Sequence, residues 1–161
     1  MEQVSIDKNT FKLRHLPEYA GYLLENKLEE FVLVGIRFAR ELDLPMLKPL
    51  SRIPEKELVA MSLESNKKIL SALANGTVAA QIEENLNNWI GNKIKGLDRM
   101  EVVAEDLTLA YYIRRRTYSH FLYGYTQSAA IQQQVIDDVD YYTSMEELYS
   151  LKVYLGIQQE G

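Results

Sequence analysis

Residues 131–161, IQQQVIDDVDYYTSMEELYSLKVYLGIQQEG, read as one amphipathic helix that nothing terminates before Gly161. Tyr141, Ser144, Leu148, Leu151 and Leu155 fall on alternating three- and four-residue steps, the spacing of a coiled-coil seam. A helix that carries such a stripe out of a domain must bury it against a second chain or a following segment. The organisation expected is a polar leader (1–15), a helical body (16–130) and an exit helix (131–161). The exit helix packs on the body and continues toward an output domain that these residues do not contain.

Upstream the period is helical almost throughout. The run LPEYAGYLLENKLEEFVLVGIRFAREL (16–42) places Tyr19, Leu23, Leu24, Leu28, Phe31 and Val32 on one broad face, and Pro17 suits a first helical turn. It reads as a single long helix that stops before DLPMLKP, where two prolines force a turn. A second helix begins near Ser51 and Pro54 and ends at Asn75-Gly76, a C-terminal stop. Thr77 sits where a cap starts the third, which carries Val78, Ile82, Leu86, Trp89 and Ile90. The fourth covers about Asp98 or Glu101 to Tyr125, with Val103, Leu107, Tyr111, Arg114, Tyr118 and Leu122 along one track. No stretch alternates as a strand does. The fold class is therefore all-α, a bundle of five to six helices with a long C-terminal exit helix.

Bulk properties exclude several function classes. A chain of 161 residues fits one domain with a real core. A formal net charge of −5 argues against a surface dedicated to nucleic acid or anionic lipid. Zero cysteines remove disulfides, thiolate metal sites and cysteine nucleophiles. The apolar run Phe31–Ile36 is far too short to span a bilayer, and the polar start MEQVSIDKNT is no signal peptide, so the expected location is cytoplasmic.

Few residues suggest chemistry. With two histidines, only His120, in TYSHFLYGY, invites a haem reading, because a globin needs one proximal imidazole. The tyrosines crowded around it argue against the large apolar pocket that haem requires. Arg114-Arg115-Arg116 is the one concentrated positive charge, yet three consecutive residues spread over roughly 300 degrees of a helix and cannot share a ligand. Arg114 is expected along the core edge, with Arg115 and Arg116 paired to acidic neighbours. The carboxylate pairs Glu83-Glu84 and Asp137-Asp138 read as solvated faces. Eleven tyrosines, concentrated in the fourth and fifth helices, suit an interface that is dry at one end and wet at the other. The pocket candidates are Trp89, Tyr111, Arg114, Tyr118 and His120; the dimer and transmission candidates are Tyr141, Leu148, Leu151 and Leu155. No catalytic residue and no metal ligand is assigned, and no glycine-rich phosphate loop or nucleophile elbow occurs.

One family shares this layout. A first long helix with Leu24, Asn26, Leu28 and Phe31, a middle helix ending in Asn75-Gly76, then DLTLAYYIRRRTYSHFLYGYT (106–126) and an exit helix of tyrosines and leucines, resemble one group. These are the N-terminal non-haem globin-like domains of bacterial stressosome sensors and related input domains of sensor kinases. The resemblance covers about residues 11–157 and rests on helix order and apolar register. It implies a globin-like fold without haem or other cofactor, a homodimer, no catalysis, and a signal passed through the C-terminal helix to a regulatory or kinase domain. Two other readings stand beside it: a stand-alone haem or small-ligand binding protein, and a helical enzyme, which needs a cleft with strongly perturbed carboxylates.

Overall fold

The computed structural model describes residues 1–160. Seven helices follow in order: α1 (Leu16–Asn26), α2 (Leu28–Glu41), α3 (Leu47–Leu50), α4 (Glu55–Asn75), α5 (Val78–Ile90), α6 (Ala104–Tyr125) and α7 (Ala129–Glu160). One 3-10 turn, Arg99–Glu101, precedes α6, and no strand occurs among the described residues. The chain is all-α with a long last helix. Gly161, the end of the expected exit helix, lies outside the described residues.

The count differs from the expected five or six for two local reasons. The run 16–42 is not one helix: at Lys27 the backbone swings to φ −135° and ψ 12°, ending α1 and starting α2. Apolar spacing continues through the break, so periodicity alone does not reveal it. The break lets α1 bury Leu16, Tyr19, Ala20 and Leu23 against α4 while α2 turns Phe31, Val32, Phe38 and Ala39 toward α6. The second addition is α3, a single turn inside the proline-bounded segment read as a loop. Gly76 closes α4 at φ 76°, the left-handed geometry that glycine adopts without steric cost. Thr77 occupies the N-cap of α5, but its side chain makes no capping bond.

Two long antiparallel helices, α6 and α7, form the back of the molecule. Tyr111 meets Ser150, Arg114 meets Glu146 and Arg115 meets Thr143, a descending ladder across the pair. In front, α1 packs on α4, and α2 touches both α4 and α6. Only the last turns of α4 are fully buried, through Ile69, Leu70, Ala72 and Leu73. Its first half contributes no fully buried residue, and α4 and α6 are not a closely packed pair. The two helices stand apart there.

The leader is fastened rather than merely polar. Asn87 on α5 accepts from the Val4 N–H (2.8 Å) and donates to the Val4 carbonyl (3.1 Å), while Ile6 is buried and Phe11 lies edge-on to Tyr141 and Tyr142. Glu83 accepts from the Ile6 N–H at 3.1 Å. Asp138 also departs from the solvated reading. It is buried, and its Oδ2 accepts from the backbone N–H groups of Arg14, His15 and Leu16 at 2.8, 2.8 and 3.0 Å. A carboxylate on α7 thus serves the unpaired donors at the start of α1, where the helix dipole also favours negative charge. Asp106 works similarly nearer the site, accepting from Met46 N–H (2.7 Å) and Val103 N–H (3.0 Å) to tie the α2–α3 connection to the start of α6.

Candidate functional site

Where α4 stands off α6, a cleft opens in two adjoining parts. One part, about 230 Å³, lies between α2, the first half of α4 and α6, with Phe31, Val32, Leu58, Ala110 and Ile113 among its walls. The other, about 410 Å³, extends toward α5 and α7 past Trp89, Leu97, Tyr111 and Ser150. Ser62, Asn66, Ala110 and Arg114 border both parts. The smaller part is largely apolar with few polar groups, as in small-molecule sites, whereas the larger part also meets Asn85, Lys95, Asp106, Glu146 and Ser150. Asn66 donates to the Ser62 carbonyl at 2.7 Å and so lends little unsatisfied polarity.

The floor is a buried ion pair. Arg114 of α6 binds Glu146 of α7; the Glu146 side chain is 5% exposed and that of Arg114 is 33% exposed along the cleft. Arg114 also points a second bond toward the Tyr142 hydroxyl at 3.4 Å, and its guanidinium lies 5.1 Å from the centroid of the Tyr111 ring. Tyr111 and Ser150 share a buried hydroxyl bond of 2.7 Å. Burial pushes the Glu146 carboxyl above the usual range, and Arg114 offsets only part of that. Burial is the largest influence on Arg114 and works against its charge, but Glu146 and the surrounding groups together outweigh it, and the guanidinium pKa is raised. Burial raises the phenols of Tyr111, Tyr118 and Tyr142, which stay neutral.

The pocket candidates separate on this geometry. Trp89, Tyr111 and Arg114 line the cleft together, and the Trp89 indole N–H donates to the Arg99 carbonyl at 3.2 Å, fixing the buried ring in the wall. Tyr118 does not line either part. It is packed among Tyr19, Phe31 and Tyr142, and its buried hydroxyl has no hydrogen-bond partner. His120 is exposed on the outer side of α6, edge-on to Phe38 and Phe121. His15 hydrogen-bonds the Tyr125 hydroxyl at 2.8 Å. Neither histidine lines the cleft, so no imidazole faces it to hold a haem iron. No group of three or more His, Asp or Glu side chains among the described residues is arranged to hold a metal ion.

The arginine triplet divides as the helix wheel requires, with two corrections. Arg114 turns inward to a buried partner rather than along the core edge. Arg116 pairs with Glu41 at 3.7 Å and stacks over Phe38, its guanidinium carbon 4.0 Å from the ring centroid. Among the described residues Arg115 has no acidic partner; it reaches the Thr143 hydroxyl at 3.4 Å. Glu146 and Ser150 were not singled out from sequence. The available signal was a charge in the middle of an inner stripe (Tyr142, Glu146, Ser150, Val153, Ile157) facing a track on α6 that also holds one charge, Arg114.

The seam candidates all lie on the outer face of α7. Tyr141, Leu148, Leu151 and Leu155 are 43%, 43%, 42% and 51% exposed. Tyr141 is partly engaged already, donating its hydroxyl to the Thr10 carbonyl at 2.7 Å. The three leucines have no such cover. No helix among the described residues is long and apolar enough to cross a membrane. No family model, curated protein or solved structure matches the chain.

Proposed function

We propose that this chain is a signal-transduction input domain that dimerises through α7 and relays the state of its cleft along that helix to a regulatory or kinase domain. One observation carries the reading: α7 has two working faces within a single turn. Glu146 faces inward to the cleft floor, and Leu148, two residues on, faces outward on an uncovered apolar stripe. Full burial of a leucine contributes roughly 1.5–3 kcal/mol, and covering what remains of these half-exposed side chains contributes about half of that each, so three on each chain are worth pairing. A ligand that enters between α4 and α6 meets Arg114 directly and changes what holds α6 to α7. Small helix shifts of this kind at an interface are an established switching repertoire. Such a ligand acts only through unequal affinity for the two arrangements.

The resemblance to non-haem globin-like input domains supports the same reading. Two short helices, a one-turn third, a long fourth, a shorter fifth and a final antiparallel pair suit a globin-like succession around one pocket. The proposal assigns the chain a cytoplasmic setting and no reaction of its own. A second reading, a stand-alone small-ligand protein, draws on the cleft alone and makes no use of the leucine stripe.

The deciding experiment replaces Leu148 and Leu151 with glutamate. Sedimentation equilibrium is expected to show a wild-type dimer and a monomeric variant of unchanged helical circular dichroism. A dimer of unchanged affinity removes the seam from the proposal and leaves the stand-alone reading.

A further inference from the structure

We propose that the α7 helices of two copies pair in parallel and in register, with Glu147 of each chain against Lys152 of the other. This rests on the dimer reading above and gives it a direction.

In heptad terms Tyr141, Leu148 and Leu155 take position a, and Ser144 and Leu151 take position d. The structure assigns the remaining positions independently. Tyr142, Thr143, Glu146, Ser150, Val153 and Ile157 occupy b, c and f, and all six are buried against the chain's own body. Position f lies across the helix from the a/d seam. The seam therefore points away from the body, and in a pair the two bodies fall on opposite outer sides.

Only two charges lie in the flanking positions of the segment 144–155. Glu147 is at g and Lys152 at e, five residues later. That is the offset at which, in a parallel in-register pair, g of one helix meets e of the other. The two-fold axis repeats the contact, giving two ion pairs that bracket the Leu148 and Leu151 layers. Reversing one helix sets g against g and e against e. Glu147 then meets Glu147 or Tyr154, and Lys152 meets Lys152 or Met145, so both attractions are lost. Neither residue is engaged at home. Among the described residues Glu147 and Lys152 make no ion pair within the chain, and Lys152 only overlies the Tyr149 ring, 5.8 Å from its centroid.

The test is charge reversal on the full chain, read by sedimentation equilibrium. Glu147→Lys and Lys152→Glu are each expected to raise the dimer Kd about tenfold, since each turns two attractive contacts repulsive. The double reversal is expected to restore it to within about threefold. Because the chain has no cysteine, Ser144→Cys gives a second readout. At a d position it crosslinks to its own counterpart under mild oxidation only when the helices run parallel and in register. A dimer that persists with no rescue by the double reversal and no crosslink overturns the parallel pairing while leaving the dimer reading intact. A wild-type chain that stays monomeric at all concentrations overturns the dimer reading itself.

Discussion

Arg114 and Glu146 form a salt bridge between α6 and α7 that is the floor of the cleft, with Glu146 across α7 from the uncovered leucine stripe. The two helices are joined here by charge as well as by packing. Desolvation makes the pair costly to assemble and more costly to break singly, because removing one partner strands the other charge in the interior.

Arg114→Met is expected to destabilise the fold by about 3 kcal/mol, toward the low end for breaking a buried pair because a third of the Arg114 side chain is exposed. The double variant Arg114→Met with Glu146→Leu is expected to recover most of that loss, since no charge is then left unpaired. Urea unfolding of the three proteins measures it. Equal losses in the single and double variants would show that the arginine stem matters by packing and the charge does not.

The raised Glu146 pKa makes stability depend on pH in a defined direction. The folded state holds the carboxyl proton more tightly than the unfolded chain, so this contribution is fully present below the unfolded value and is lost as pH rises through the folded one. Relative to Glu146→Gln, wild type is expected to lose stability as pH increases from about 4.5, by at most about 1.4 kcal/mol per unit. Urea midpoints of both proteins across that range decide it; parallel curves would remove Glu146 as the titrating group.

Asp138 caps α1 from another helix, so Asp138→Ala leaves three backbone donors short of an acceptor. A loss of about 2 kcal/mol is expected. Hydrogen exchange should quicken first at Arg14, His15 and Leu16, and protection unchanged at those amides would contradict the capping role.

The buried tyrosines predict opposite responses to removal of a hydroxyl. Tyr118 has an unpartnered hydroxyl, so Tyr118→Phe is expected to be neutral or to stabilise by about 1 kcal/mol. Tyr111→Phe strands the Ser150 hydroxyl and is expected to cost about 1 kcal/mol or more. Thermal or urea unfolding distinguishes them, and a destabilised Tyr118→Phe would reveal a partner for that hydroxyl.

How much could be read in advance depended on how local each feature is. The helix stop at Asn75-Gly76 is a property of a few adjacent residues, and it falls where the sequence places it. The break at Lys27 is not, because the apolar spacing of α1 and α2 runs through it and only their different neighbours, α4 and α6, require it. Asp138 looked solvated beside Asp137, yet the partner that buries it is the start of α1, some 120 residues away. Among the pocket candidates, Trp89, Tyr111 and Arg114 share the cleft, whereas Tyr118, on the same track of α6, does not, because α1 and α2 cover its end of the helix.

By itself the sequence determined that this chain is all-α and that α7 carries an apolar stripe from Tyr141 to Leu155, since both follow from side chains recurring every three or four residues along one helix. Tertiary structure decided the rest: which stripe of α7 faces inward, that Arg114 finds Glu146, and that α4 leans away to leave a cleft above them. Those depend on contacts between residues far apart in the chain. Local periodicity says which face of a helix is apolar, but only packing says what lies against it.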